Sequence, residues 1–353
     1  MCCRLPQADE PVELDYIVDT GEIDSRPVAI RAACFSPCGK RIALTHSSTG
    51  AVRIVDSRSE ALLMRETGVA TPGPALTIEN MERKHSVGHT DTMVGHTDTV
   101  VSLAFSPDGR LLAQGSKDHT LTVVDISTPV PKLIFQYKGH KGQICAVSFS
   151  PDGQRLVAGS ADSTASVHTL HAGTEEAASV TLNFDLHDRW IRAVDFSPDG
   201  RRVAIGCDDT TASVWDVETG ARLSCHVQGL HAQKIMAVRF VEDGERLIIG
   251  SADKKVSIVK LSEHAGGTGK TMDWERLFTV DCKHTEDSDV WTMAISKDGR
   301  RVVLGSSDSV VSVVDLVTGN KLLTLHDVHR CNEENENAPA QVGKSRGGGA
   351  HFL

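Results

Sequence analysis

A short glycine-rich segment of this sequence has the residue types of a phosphate-binding loop. Residues 266–271 read Gly-Gly-Thr-Gly-Lys-Thr, whose backbone amides and lysine could hold nucleotide phosphates. However, His264 stands where the first glycine of such a loop is required, and residues 274–280 are predicted to form a strand instead of a helix. Without a helix N-terminus the loop lacks the amide donors and the dipole that favour a phosphate. We therefore predict a loop between two strands and no nucleotide cofactor.

Two other patterns suggest metal binding or catalysis. His326, His329 and Cys331 could coordinate a metal, but a structural zinc site needs four ligands, so we predict no metal site. Serine, histidine and aspartate recur together in most of the sequence units described below. A catalytic triad is normally unique in a chain, so recurrence favours a role in the fold. We predict no catalytic residue, no small-molecule substrate and no enzyme.

The elements that must position these residues come from an internal repeat. A Phe-Ser-Pro-Asp-Gly segment recurs, exactly or in weaker form, with its glycines 44 to 55 residues apart after a first gap of 70. Six copies occupy residues 35–39, 105–109, 149–153, 196–200, 240–244 and 295–299. Apolar runs flank each copy, which predicts a hairpin turn in which proline fixes φ and glycine accepts a positive φ. A third and a fourth apolar run follow, so we predict four strands in each unit.

The pattern resembles the WD-repeat (WD40) β-propeller family, in which Gly-His precedes the first strand of a blade and Trp-Asp closes the third. Gly95-His96 and Gly139-His140 match the opening dipeptide, and Trp215-Asp216 is the one complete closing dipeptide. The resemblance covers residues 28–325. It implies an all-β propeller of six legible four-stranded blades, either closed as a six-bladed ring or an incomplete seven-bladed one.

The same resemblance implies a structural hydrogen-bond network from the Gly-His imidazole to an aspartate in the second turn of each blade. The implied pairs are His96 with Asp118, His140 with Asp162, His187 with Asp209, His231 with Asp253 and His284 with Asp308. Blade one departs from the pattern, since Arg26 and Thr49 stand at the two positions. Inside the ring, Asp195 and Arg239 hold the same repeat position in adjacent blades, and we predict that they pair.

Composition limits the partners and the location. The chain has 37 basic and 47 acidic side chains, a net charge of −10 and no basic stripe, which argues against nucleic acid. Nine cysteines without a Cys-x-x-Cys spacing favour a reduced, intracellular chain. No run of about 18 apolar residues predicts a membrane span. We expect a cytoplasmic protein, with the nucleus also open and acylation of Cys2 and Cys3 as an alternative.

Several segments lie outside the repeats. We predict a flexible N-terminus at 1–11, one propeller domain at 12–325 with an insertion at 67–97, and a disordered tail at 326–353. The segment 12–18 reads as a strand that could complete the last blade. Because residues 321–325 already read as the fourth strand of that blade, closure of the ring stays open.

The sequence favours a non-enzymatic scaffold that binds proteins or peptides, within a multiprotein complex, through the loop faces of the propeller. The face with the Gly-His turns should present Lys117, Lys141, Arg189, Trp190, Asp208, Lys234, Asp289 and Trp291. Residues 54–58 resemble the Trp-Asp-x-Arg box of cullin-type ubiquitin-ligase receptors, with Val55 in place of tryptophan and Arg58 as the contact. A ligase receptor, a cytoskeletal or ciliary propeller and a propeller enzyme are the alternatives.

Overall fold

The structure of the chain is a computed structural model. It describes residues 22–23, 26–27, 30–46, 52–56, 76–78, 96–128, 130–170, 182–184, 187–224, 229–266, 269–281, 290–296, 300–306, 310–325 and 351–352. These residues contain strands and turns and no helix, and the strands form six antiparallel blades in chain order. The expected all-β propeller blades are therefore confirmed.

The strands follow the repeat, with a short hairpin before the first blade. That hairpin is β1 (Glu22–Ile23) and β2 (Arg26–Pro27). Blade one has β3 (Ile30–Phe35), β4 (Arg41–His46), β5 (Val52–Asp56) and β6 (Leu76–Ile78). Blade two has β7 (Val100–Phe105), β8 (Leu111–Ser116), β9 (Leu121–Asp125) and β10 (Lys132–Tyr137). Blade three has β11 (Ile144–Phe149), β12 (Arg155–Ser160), β13 (Ala165–Thr169) and β14 (Leu182–Phe184).

The remaining blades vary in their outer strands. Blade four has β15 (Ile191–Phe196), β16 (Arg202–Cys207) and β17 (Ala212–Asp216). Blade five has β18 (Ile235–Phe240), β19 (Arg246–Ser251), β20 (Lys255–Gly266) and β21 (Gly269–Asp281). Blade six has β22 (Val290–Ile295), β23 (Arg301–Ser306), β24 (Val311–Asp315) and β25 (Lys321–Leu325). A final strand, β26 (His351–Phe352), pairs with β3.

Each Pro-Asp-Gly turn holds its hairpin through backbone conformation and one serine. In blade two Gly109 has φ +70°, and its amide donates to the Ser106 carbonyl at 2.8 Å. The Leu111 amide donates to the Ser106 hydroxyl oxygen at 2.9 Å, and the Arg110 amide donates to Asp108. Glycine reaches this left-handed region at little cost, which explains its place in the repeat.

Large apolar clusters join neighbouring blades. Gly115 of β8 shows how closely the blades approach, since a Cβ there would lie 2.6 Å from Ile144 Cγ2 of blade three. Separate clusters of buried side chains fill the boundaries between blades one and two, two and three, three and four, four and five, and five and six. Among the described residues, no such cluster joins blade six to blade one.

Arginine side chains of three blades form hydrogen bonds with the blade that follows. Arg41, Arg155 and Arg202 begin the second strands of blades one, three and four. Their guanidinium groups donate to the carbonyls of Gly109, Gly200 and Gly244, which lie in the Pro-Asp-Gly turns of the next blades or in the equivalent turn. We call these contacts the Arg–Gly bridges. They were not predicted from the sequence, although an arginine stands two residues after the turn glycine in five of the six units and Leu111 takes this place in blade two.

Four details differ from the simple repeat. In place of a fourth strand, the described residues of blade four have one bridge, between Trp215 and Arg222. Leu76–Ile78, inside the segment assigned to the insertion, is the fourth strand of blade one. The glycine-rich segment lies at the end of the long β20–β21 hairpin, where Gly266 pairs with Gly269 and a strand follows. His351–Phe352, inside the expected tail, forms a parallel pair with β3.

The described part of the chain offers no helix long and apolar enough to cross a lipid bilayer. The segment 12–18, Thr49 and the metal-capable residues of 326–331 lie outside the described residues, as do residues 1–11.

Candidate partner-binding face

The loops that carry the histidine and aspartate of each repeat meet at one edge of the propeller. His Nδ1 lies within hydrogen-bond distance of an aspartate Oδ2 in four blades. The distances are 3.1 Å for His96–Asp118, 3.0 Å for His140–Asp162, 2.8 Å for His187–Asp209 and 3.0 Å for His231–Asp253. His284 and Asp308, the fifth expected pair, lie outside the described residues.

In blade four this network extends to the strand-three tryptophan. The Trp215 indole Nε1–H can only donate, and it donates to the Ser213 hydroxyl oxygen at 2.8 Å. The Ser213 hydroxyl then donates to His187 Nε2, which lies 2.9 Å away. His187 therefore carries its proton on Nδ1 and donates it to Asp209. The chain of donors fixes one imidazole tautomer and links strand three to the outer turn.

The aspartates remain ionised although they are partly buried. Burial alone would raise the pKa of Asp162, but hydrogen bonds from the Thr164 hydroxyl and the Lys141 amide, with the charge of His140, lower it to about 2. For Asp118 and Asp209, burial is likewise opposed by the hydrogen bond from the histidine, and the pKa falls well below its usual range. These carboxylates serve as acceptors for the turn, not as proton donors.

The turn that presents each aspartate has a residue with a left-handed backbone. His119, Ser163, Thr210 and Lys254 follow the four aspartates and have φ between 68° and 74°. This conformation costs a residue other than glycine roughly 1–2 kcal/mol. The cost recurs in four blades at the same place, directly beside the residue that holds the histidine.

Blade three contains a residue whose role the sequence analysis missed. His168 occupies the strand-three position that Trp215 holds in blade four, and its Nε2 lies 2.8 Å from Ser166 Oγ. It is fully buried against the rings of Phe135 and Tyr137, and its Nδ1 has no hydrogen-bond partner. Alignment of strand three with Ala-Ser-Val-Trp would have identified this substitution.

Blade five has the shortest form of the network. Lys255 stands where blades two, three and four have a threonine two residues after the aspartate, and Val259 takes the tryptophan position. Ser257 contacts Thr279 Oγ1 at 3.0 Å, and the buried His231 Nε2 has no partner. Only the His231–Asp253 pair remains, so this blade lacks the cross-strand part of the network.

The order aspartate, histidine, serine in blades three and four matches that of a hydrolase triad. The distances are suitable, since Ser166 Oγ lies 2.8 Å from His140 Nε2. However, Ser166 and Ser213 are buried, and each hydroxyl is also hydrogen-bonded to a second ring nitrogen, that of His168 or Trp215. A substrate carbonyl could not reach these oxygens. The repeated arrangement therefore has the geometry of a triad and no access for a substrate.

One cluster has the donor types of a metal site. His187, Cys207 and Asp209 lie within 4.8 Å of one another. Cys207 replaces the serine of other blades: its Sγ lies 3.2 Å from the Arg189 carbonyl, as Ser160 Oγ lies 3.0 Å from the Gly142 carbonyl. Burial raises the pKa of Cys207 to about 12, which disfavours the thiolate that a metal needs. The cluster is the turn network with a thiol in place of a hydroxyl.

Beside this network lies a partly exposed group that we call the Trp190 patch, formed by Trp190, Arg192, Asp208 and Lys234. The Arg192 guanidinium binds Asp208 through two hydrogen bonds of 2.8 and 3.0 Å. It also lies over the Trp190 ring, 4.6 Å from its centroid. Lys234 Nζ of blade five lies 3.7 Å from Asp208 Oδ2. Trp190 keeps 41% of its surface exposed.

The geometry of the patch is rigid for a surface site. Asp208 is held by its own amide, which donates to the Trp190 carbonyl at 2.9 Å. Burial lowers the pKa of Arg192, but the hydrogen bonds and charge of the Asp208 carboxylate outweigh it, so the pKa of Arg192 is raised. An exposed indole fixed by a stacked guanidinium is a residue combination enriched at interface hot spots.

The other expected surface residues are placed less closely together. Lys117, Lys141 and Arg189 lie in the turns at the same edge as the Trp190 patch. Asp289 and Arg58 lie outside the described residues, and Trp291 lies within β22. Arg192 was not expected in the sequence analysis, because it lies on a strand between apolar residues and nothing local indicates its two contacts.

The predicted pair inside the ring is confirmed. Arg239 Nη1 lies 2.8 Å from Asp195 Oδ1, and the Phe240 amide donates to Asp195 Oδ2 at 2.8 Å. Burial raises the pKa of Asp195 although Arg239 opposes the shift. The pair joins strand one of blade four to strand one of blade five.

Comparison with known proteins agrees with the repeat seen in the fold. The family model for the WD domain, G-beta repeat (WD40) matches residues 88–125, 131–169, 179–216 and 275–315. Comparison with individual curated proteins gave no match. WD40 domains are generally non-enzymatic modules that mediate protein–protein interaction. The four matched segments are WD40 repeats, and together with the antiparallel blades of the fold they are consistent with a WD-repeat family.

Proposed function

We propose that this chain is a non-enzymatic scaffold that binds a protein partner, and that the Trp190 patch is the centre of the contact. The observation that carries this is the exposed Trp190 ring, held in place by Arg192 and Asp208. An indole that is already ordered loses little side-chain entropy when a partner covers it. The WD40 repeats support the class of function, and the patch supplies a specific site for it.

The patch also joins two blades. Lys234 belongs to blade five and approaches the Asp208 carboxylate of blade four. The affinity of a partner that contacts the patch would therefore depend on the relative position of two blades as well as on the chemistry of one side chain. Lys234 is half exposed, so its own ion pair adds little to stability and leaves the ammonium able to meet a partner carboxylate.

Affinity purification from the native cell, followed by mass spectrometry, tests this proposal with three variants. Trp190→Ala and Lys234→Glu should each remove the same set of co-purifying proteins, and once a partner is purified, Trp190→Ala should weaken binding about 30-fold or more. Arg110→Glu is the control: Arg110 is exposed, forms an ion pair with Asp125 at 2.8 Å and undergoes the same charge change.

The outcome is decisive in both directions if all variants are folded, as a thermal melt shows. Loss of partners with both patch variants and retention with Arg110→Glu supports the proposal. An unchanged set of partners with Trp190→Ala rejects the patch. Recovery of a ubiquitin-ligase adaptor that Arg58→Ala abolishes would instead favour the ligase-receptor alternative.

A further inference from the structure

Blade six has an apolar face that no described blade covers. Ala294, Val303, Val313 and Leu323 form one row across its four strands, because each is paired with the next in register. Val303 and Leu323 are 41% and 40% exposed. In this row the side chains point to one side of the sheet, since directly paired residues of neighbouring strands share a face.

The second-strand position of this row is buried in each of the other five blades. The residues that match Val303 are Ala43, Ala113, Val157, Ala204 and Ile248, and each has 0% exposure. Those side chains pack in the clusters that join a blade to the following one. The row of blade six therefore has the apolar composition of a contact between two blades, but no described blade packs against it.

Blade one has an exposed apolar residue on its opposite side, the side on which a preceding blade would pack. Phe35 ends strand one and is 58% exposed, whereas Phe149, Phe196 and Phe240 end the same strand in later blades and are buried against the preceding blade. We call the row of blade six together with Phe35 the seam. The seam thus combines exposed apolar side chains of the first and the last blade.

One segment of the chain reaches the seam. His351–Phe352 pairs in parallel with β3, with His351 opposite Ala32 and Phe352 opposite Ala33, and it also contacts β22 of blade six. The 25 residues between β25 and β26 could span up to about 85 Å when extended, so the connection is long enough. The sequence at this point, Ala350-His351-Phe352-Leu353, follows three glycines and offers two large apolar residues.

We propose that the seam is a strand-binding groove and that its occupant is the segment 326–353 of the same chain, which lays residues 351–352 along β3 and so closes the ring. The segment adds a strand to the inner edge of blade one, where main-chain hydrogen bonds supply part of the affinity. We expect the apolar residues at the end of the segment to supply the rest. The contact is separate from the Trp190 patch and does not depend on its function.

Hydrogen exchange read by mass spectrometry tests this on the full chain, on a chain lacking 326–353 and on the full-length Phe352→Asp variant. Amides of β3 and β22 should exchange at least about 10-fold faster in both altered chains. Amides of β11, the equivalent strand of blade three, should be unchanged, which shows that the propeller is still folded. A synthetic peptide of residues 344–353, added to the shortened chain, should restore protection of β3, and the same peptide with Phe352→Asp should not.

Other occupants give different results. If β3 exchanges equally in the full and shortened chains, the proposal is wrong. Loss of protection on removal of 1–21 alone would assign the groove to the N-terminal segment. Protection that falls on dilution of the full chain, together with a dimer in light scattering, would assign it to a second copy. Either of these last two results overturns the cis occupant.

Discussion

At the scale of single residues, the histidine in place of the strand-three tryptophan gives blade three a titratable core. Trp215 of blade four donates the same hydrogen bond to Ser213 that His168 Nε2 gives to Ser166. An indole cannot take up a proton, but an imidazole can. The two blades therefore share one network geometry and differ in their response to acid.

Acid should destabilise the fold through His168. Burial, with a smaller contribution from the charge of His140, lowers the pKa of His168 to about 3, while an unfolded histidine titrates near 6.5. Between about pH 6.5 and pH 3, this histidine is protonated in the unfolded chain and neutral in the folded chain. Its contribution to the unfolding free energy is therefore fully present above about pH 6.5 and is lost as the pH falls toward 3, by up to about 1.4 kcal/mol per pH unit.

Urea unfolding between pH 6.5 and 4.5 measures this effect. His168→Trp should flatten the dependence of the unfolding free energy on pH by close to one proton, and His168→Phe should do the same if the larger ring does not fit. His119→Asn removes an exposed histidine and should leave the slope unchanged. Equal slopes in the wild type and both His168 variants would show that this group does not titrate in that range.

At the scale of elements, one strand position has opposite environments in two blades. Val157 of β12 and Val303 of β23 are the same residue at the same repeat position, with 0% and 41% exposure. Val157→Ala removes methyl groups from a packed boundary and should cost roughly 1.5–3 kcal/mol. Val303→Ala should cost less than about 1 kcal/mol. Chemical denaturation of both variants measures the difference, and equal costs would show that the seam is packed in solution.

The positions of the strands could be predicted from the sequence, whereas the contacts between blades could not. Pro-Asp-Gly turns and apolar runs are local signals, and they located the strands of blades two, three, five and six. The roles of Arg192 and of the Arg–Gly bridges depend on a neighbouring blade and have no local signal. Phe35 and Phe149 are each the first residue of the repeated Phe-Ser-Pro segment, but Phe35 is exposed and Phe149 is buried. The difference arises because the exposure of this residue depends on which blade precedes it. Only the folded ring distinguishes the two.

At the scale of the whole molecule, contacts between blades join parts of the chain that are near in sequence. The repeats are 44 to 55 residues apart after the first gap, so a blade packs on its immediate neighbours, whereas the seam must join the two ends of the domain. Stability is then close to a sum over blades and boundaries. Loss of structure should begin beside the seam and move toward blades three and four.

Native-state hydrogen exchange in low denaturant checks this gradient. Amides of β12 and β16 should have the largest opening free energies, and those of β4 and β23 the smallest. The central blades have a packed cluster on both sides, while blades one and six have one on a single side among the described residues. A single opening free energy for every blade would mean that the ring unfolds as one unit.

The direction of the Arg–Gly bridges has a consequence for synthesis of the chain. In all three described cases the guanidinium reaches forward, to a turn that is translated later. At about 5–20 residues per second, each such arginine waits a few seconds for its acceptor to leave the ribosome. During synthesis, the most recently translated of these blades therefore has an arginine whose carbonyl acceptor has not yet been made. Blade six is the last of the six blades in chain order, and its exposed row lies on the side where each of the other blades packs against the following one.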